Sequence, residues 1–207
     1  MQNIQKGLVK FKQQDFEKYK DLFTAISKKQ NPHTLFIGCS DSRVVPDMIT
    51  KTLPGELFVI RNIANLIPTF RQIDEYLSTT AAIEFAIKEL NVENIVVCGH
   101  SNCGGCSALF FKDKIKEKLP ATAKWLELSE KVVEQVNAQI PNGSPEAKEW
   151  LAEQINIVEQ MKHLLTYPYI KEKYEKKKLN IYGWYYIIET GDVYNYNIDK
   201  GAFELVN

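Results

Sequence analysis

The stretch "NIVVCGHSNCGG", residues 94–105, changes character twice in a short span. Its first half is a β-branched apolar run, which reads as a buried strand. The run closes on Gly99 and His100, and Gly104-Gly105 then open a helix through Ala108, Leu109 and Phe111. A strand that passes through a tight polar loop into a helix is half of a βαβ unit and predicts a parallel sheet. "TLFIG" (34–38) reads as a second short buried strand, and "ELFVIRN" (56–62) as a third, entered through the turn dipeptide Pro54-Gly55. A helix is predicted near 76–90 from the spacing of Leu77, Ala81, Ile83, Ala86, Ile87 and Leu90.

The flanks complete the outline. Residues 4–29 carry Leu8, Phe11, Phe16, Tyr19, Leu22, Phe23 and Ile26 at helical spacing, so an amphipathic arm is predicted. The stretch 121–179 is charged and helical in pattern, interrupted by "PNGSP" (141–145) and Pro168. Its lysine-rich end, "EKYEKKKL" (172–179), reads as a solvated helix face. "IYGWYYIIE" (181–189), "TGD" and "VYNYNI" (193–198) read as a β-hairpin. The expected fold is α/β: a mostly parallel central β-sheet flanked by helices, with a helical N-terminal arm (1–29) and a C-terminal β-hairpin, in a single domain 1–207.

At 207 residues, 44% hydrophobic and 25% charged, the chain can bury one sizeable core. Lys+Arg and Asp+Glu both number 26. That balance supplies no field for nucleic acid or an anionic membrane, and neither is an expected partner. The N-terminus shows no secretory signal pattern and no run is long enough to span a bilayer, so a cytoplasmic setting is expected. Four cysteines in a reducing compartment point to metal binding, catalysis or burial rather than disulfides.

Two motifs carry chemistry: Cys39-Ser40-Asp41-Ser42-Arg43, and His100-Ser101-Asn102-Cys103-Gly104-Gly105. Each follows an apolar strand. Loops after the carboxyl ends of parallel strands converge on one sheet edge, so Cys39 and the His100/Cys103 pair can meet across the 61 positions between Cys39 and His100. Two thiolates and an imidazole suit Zn2+, and three protein ligands leave a fourth tetrahedral position for water. Zinc lowers the pKa of such a water from about 15.7 to about 7. Arg43 can grip Asp41 through paired hydrogen bonds, keeping the carboxylate off the metal and aimed at the nucleophile.

Plainer readings exist for each part. A lone cysteine at a strand end is an ordinary packed thiol, and a lone Asp-Arg pair an ordinary turn or ion pair. Cys103 to Cys106 spells C-x-x-C, which invites a redox reading, but that leaves His100 and Cys39 without a task. "GHSNCGG" lacks the Gly-Lys-Ser/Thr ending of a phosphate loop. Cys98 and Cys106 are expected to be packed, and His33 and His163 to lie at the surface or in ordinary packing.

"CSDSR" and "HSNCGG", with "PGELFVIRNIANLIP" (54–68) and "AAIEFAIKELNVENIVVCGH" (81–100), resemble the β-class carbonic anhydrases, most clearly over residues 30 to 110. The resemblance implies reversible hydration of carbon dioxide to bicarbonate and a proton, with Cys39, His100 and Cys103 holding one zinc and Asp41 and Arg43 as the orienting pair. It implies an N-terminal arm that clasps a second subunit, giving a homodimer or a dimer of dimers. One group within the family carries a tryptophan three residues before the first cysteine, where this chain has Phe36. Gln30 stands where the plant-like, non-gated group has a substrate-binding glutamine, and the chain is read as closer to that group. Phe58 and Phe85 match an aromatic pair lining the pocket across the dimer, Phe85 replacing a tyrosine common in relatives. Gly104 would let the backbone approach substrate closely. Two alternatives share the fold: a zinc hydrolase of carbon disulfide or carbonyl sulfide, and a non-catalytic bicarbonate-binding or assembly protein.

Overall fold

The computed structural model describes residues 2–71 and 77–206. Position 76, where a helix is expected to begin, and the expected domain's residues 1 and 207 lie outside the described residues. The N-terminal arm is α1 (Gln2–Lys10), a π-helical segment (Phe11–Asp15), α2 (Phe16–Lys18) and α3 (Lys20–Ile26). Then come β1 (Thr34–Cys39), α4 (Pro46–Thr50), β2 (Leu57–Asn62), a 3-10 turn (Ile63–Asn65), α5 (Ser78–Lys88) and β3 (Asn94–His100). A helical stretch follows: α6 (Gly104–Ala108), α7 (Lys112–Ile115), α8 (Pro120–Leu126), α9 (Glu130–Gln139), α10 (Pro145–Leu164) and α11 (Pro168–Glu175). The chain closes with β4 (Asn180–Tyr186), β5 (Val193–Asn197) and β6 (Ala202–Leu205). The last strand extends the expected hairpin by a further antiparallel partner.

The strand order is β2-β1-β3-β4-β5-β6. The first four are parallel, and β5 and β6 run antiparallel. From β1 the chain steps to one side to form β2, then crosses back to form β3 on the other side of β1. The carboxyl ends of β1 and β3 therefore flank the topological switch point, where loops diverge and leave a crevice.

Every residue of β1 is buried, as are Ile95 to His100 of β3. Strands covered on both faces read as continuous apolar runs, and these two do. On one face Leu35, Ile37, Ile95 and Val97 pack against Ile83 and Ile87 of α5 and Ile157 and Leu164 of α10. On the other, Phe36, Val96 and Cys98 pack with Trp184, whose ring meets Phe36 edge-on at 6.3 Å. The long helix α10 starts at a defined signal: Ser144 Oγ accepts from Ala147 N (3.2 Å), Pro145 follows at the helix start, and Lys162 and His163 sit in the last turn.

The first part of the arm leaves its apolar side chains uncovered, whereas Phe16, Tyr19, Leu22, Phe23 and Ile26 are half-buried. Ile4 and Leu8 are 74% and 65% exposed, and Val9 and Phe11 are exposed as well. Phe11, Phe16 and Phe23 cluster among themselves.

Candidate metal centre

Cys39 ends β1, His100 ends β3, and Cys103 caps the start of α6. The switch point brings the three together: Cys39 Sγ, Cys103 Sγ and an imidazole nitrogen of His100 lie within 4.8 Å of one another, all buried. The two sulfurs are 4.0 Å apart. Two thiolates on one tetrahedral zinc sit roughly 3.8 Å apart, given Zn–S bonds of about 2.3 Å. Cys106 is buried on α6 and is not part of the cluster, so no fourth cysteine completes the donor set.

The donors are prepared for a cation. His100 Nδ1 lies 3.0 Å from Ser101 O, and a carbonyl only accepts, so the proton sits on Nδ1. That leaves a lone pair on Nε2, which is buried and has no hydrogen-bond partner among the described residues. An unsatisfied buried polar atom costs about 1–3 kcal/mol unless something else binds it. Hydrogen bonding with Cys103 and burial push the Cys39 thiol up to about 12. Hydrogen bonding to Cys106 and burial raise the Cys103 thiol. Two neighbouring buried thiols resist ionising together without a positive charge between them, and a divalent cation supplies it.

Asp41 flanks the cluster, with Oδ2 3.9 Å from His100 Nε2. Arg43 donates to it three times: Nε to Oδ1 (2.9 Å), Nη2 to Oδ2 (2.7 Å), and the main-chain N to Oδ1 (2.9 Å). The guanidinium holds the Asp41 carboxyl well below the usual carboxylate range. Arg43 Nη2 also donates to Asn102 O (3.0 Å), tying the two motifs together.

The remaining sequence-predicted residues divide. Gly104 sits beside Cys103 at the start of α6, and a Cβ built on it meets nothing within 4 Å, so its surface is open. Phe58 and Phe85 meet each other, ring centroids 6.0 Å apart. They do not meet the triad. Phe58 pairs in register with Leu35 and Cys39 with Asn62, so Phe58 lies four strand residues back from the Cys39 level, roughly 13 Å. Gln30 is exposed and precedes β1, at the opposite end of that strand from Cys39. Within one chain Gln30, Phe58 and Phe85 belong to the far edge of the sheet. Phe85 is 44% exposed there.

Several residues around the cluster escape a sequence reading. Arg61 in β2 donates to Cys39 O (3.0 Å) and Asp41 O (2.6 Å), clamping the loop after β1. An arginine inside an apolar strand was the available signal. Asn102 takes a left-handed conformation, φ +54°, which closes the tight turn between His100 and Cys103. Glu153 of α10 is 2% exposed, and burial pushes its carboxyl up to about 7. It accepts from Cys103 N (2.7 Å) and from Tyr185 OH (2.6 Å).

A sequence profile of the family described as "Carbonic anhydrase" matches residues 34–193. A carbonic anhydrase of Helicobacter pylori is 43% identical over 201 residues, covering 96% of this chain and 91% of its own. The solved β-carbonic anhydrase CcaA superposes with a TM-score of 0.95 at 38% identity, covering all of this chain and 99% of that one. A tetrameric β-carbonic anhydrase of Sordaria macrospora superposes with a TM-score of 0.81 at 28% identity, over 94% of this chain and 97% of that one.

Proposed function

The chain belongs to the β-class carbonic anhydrases, and on that premise we propose that Cys39, His100 and Cys103 hold one zinc at which Asp41 and Arg43 orient the reaction. The enzyme hydrates carbon dioxide reversibly to bicarbonate and a proton. One observation carries the assignment of the centre: the buried, unpartnered Nε2 of His100 lies among two thiols at the sheet's switch point. Zinc, when bound, supplies a water acidic enough to act as nucleophile near neutral pH.

The protein's part is positioning. His100 Nδ1–H, donating to Ser101 O, keeps the ring turned so that Nε2 faces the thiols. Asp41, gripped by Arg43, presents an oxygen beside the donor cluster as a fixed acceptor for the nucleophile's hydrogen. The same grip holds Asp41 out of the metal's coordination sphere, which suits the plant-like, non-gated group. Gly104 leaves room for carbon dioxide and bicarbonate next to Cys103.

Gln30, Phe58 and Phe85 act as substrate-binding residues for a second copy of the chain. The uncovered apolar side chains of the arm support an arm-exchanged homodimer, and a tetrameric relative supports a dimer of dimers. The body and arm together form one domain. No described helix is long and apolar enough to cross a membrane. A cytoplasmic setting fits the free state of all four cysteines, since a reducing compartment keeps metal-binding thiols available.

Stopped-flow hydration of carbon dioxide by zinc-replete protein, between about pH 7 and 9, tests the reading. Turnover well above the buffer rate, with one zinc per chain, is expected. Zinc bound at full stoichiometry with no acceleration at any pH would overturn it in favour of a hydrolase or a non-catalytic bicarbonate binder.

A further inference from the structure

Glu153 is a buried carboxyl group that the chemistry above leaves without a task. We propose that Glu153 is a positioning residue for Cys103: its carboxyl group, steadied by the Tyr185 hydroxyl, fixes the Cys103 peptide so that the thiolate meets Cys39 and His100 in one donor set. The proposal rests on the reading of that set as a zinc site.

The turn from His100 to Cys103 is anchored from several sides. Ser101 N donates to Tyr186 O (2.9 Å), Asn102 O accepts from Arg43, and Cys103 O accepts from Ser107 N (2.9 Å). The Cys103 N–H donates to Glu153 Oε1 (2.7 Å). A buried peptide N–H must find an acceptor, and this peptide sets the direction in which the Cys103 Cα–Cβ bond leaves the chain. Glu153 Oε2 is held in turn by Tyr185, whose register partner on β3 is Gly99, one residue before His100. Thus α10, β4 and the metal-binding turn share one carboxyl group.

The packing of α10 makes that reach possible. A Cβ built at Gly99 would lie 2.7 Å from Ile157 Cγ1, and one built at Gly183 would lie 2.5 Å from Met161 Sδ and 2.9 Å from Ile157 Cγ2. Two glycines on adjacent strands let the helix settle directly onto the sheet. The same buried face of α10 carries Asn156, Gln160 and His163. These bond main-chain groups of the loop after β2: Asn156 Nδ2 to Ala64 O (2.9 Å), Ile67 N to Gln160 Oε1 (2.7 Å), and His163 Nδ1 to Ile67 O (2.7 Å). Glu153 is the member of this row that reaches a donor residue of the cluster.

The test uses full-length protein stripped of metal and compares wild type with Glu153→Ala, Glu153→Gln and Tyr185→Phe. Zinc affinity is read by competition with a chromophoric chelator, and donor geometry by the thiolate-to-cobalt and d–d absorption bands after cobalt(II) loading. Glu153→Ala is expected to weaken zinc about 10- to 100-fold, the usual effect of losing a group that orients a ligand, and to alter the cobalt bands. Glu153→Gln should recover most of both, because its amide oxygen accepts the same N–H while its NH2 donates to the turned Tyr185 hydroxyl. Tyr185→Phe should fall between them. A folded Glu153→Ala protein with wild-type affinity and bands overturns the proposal, as does Glu153→Gln behaving like Glu153→Ala. Should Glu153→Ala fail to fold, Tyr185→Phe decides by the same two readouts, and wild-type values there overturn it. A wild type that binds neither zinc nor cobalt overturns the zinc reading itself, a result separable from any difference among the variants.

Discussion

Arg43 grips Asp41 through two parallel N–H···O bonds, of 2.9 and 2.7 Å, while Asp41 Oδ2 stays 3.9 Å from His100 Nε2. The carboxylate is therefore close to the donor cluster yet committed elsewhere. Removing it should leave the metal in place and spoil the orientation of the nucleophile. Asp41→Ala is expected to keep one zinc per chain by elemental analysis and to lose about 100-fold in turnover, the scale of a misplaced reacting group. An unimpaired turnover number would rule out the orienting role.

The same pair sets a pH dependence whose sign follows from linkage. Arg43 lowers the folded pKa of Asp41 below its unfolded value. The stabilisation is complete above the ordinary carboxylate pKa of about 4 and is lost as pH falls through the folded value. The stability gap between wild type and Asp41→Asn should hold steady from about pH 7 to 5 and narrow below about pH 4. Thermal melts across that range measure it. A gap that widens on acidification contradicts the ion-pair account. Partial exposure of Arg43 keeps the effect modest.

Cys39→Ala or His100→Ala should abolish tight zinc binding and activity together. Each would remove one of the three side chains proposed to hold the metal, and a catalytic zinc site has only three protein ligands to lose from. Dialysis followed by elemental analysis checks this, and zinc retained at full stoichiometry in either variant contradicts the donor assignment.

Gln30 and Cys39 lie at opposite ends of β1, which makes cross-subunit supply testable by mixing. Gln30→Ala and Cys39→Ala subunits should each be poorly active alone. Unfolded together and refolded, they form hybrid dimers in which one intact triad faces one intact Gln30. Partial recovery of carbon dioxide hydration is expected, and no recovery in verified hybrids would place Gln30 outside the partner's site.

Gly105 packs against the loop after β2. A Cβ there would lie 2.8 Å from Ala64 Cβ and 3.1 Å from Ala64 N. Ala64 is held in a left-handed conformation, φ +61°, and its carbonyl is bonded by Asn156, so it has little freedom to retreat. Gly105→Ala should destabilise the protein by about 1–3 kcal/mol, read from the urea midpoint. An unchanged midpoint would show that this loop yields more readily than its contacts imply.

The strands and the residues of the Cys39-His100-Cys103 cluster were legible in the amino-acid order because their signals are local. A buried parallel strand is a short apolar run, and a residue at its carboxyl end sits at the sheet's ligand edge whatever else the chain does. Cys39, His100 and Cys103 announce themselves in this way, and Asp41 and Arg43 by their spacing. Glu153, Asn156 and Gln160 did not, since polar residues on a charged helix look the same whether they meet water or buried peptide groups. The strand Ala202–Leu205 is too short to separate from a tail by pattern alone.

Short-range pattern was enough to read a parallel sheet, its first three strands along the chain, and the two cysteines and the histidine that gather at its rim. Which side of β1 each neighbour takes, which face of α10 is dry, and the separation of Gln30, Phe58 and Phe85 from Cys39 became visible in three dimensions alone. Those outcomes depend on which surfaces exclude water together, and long-range packing, not spacing along the chain, settles that.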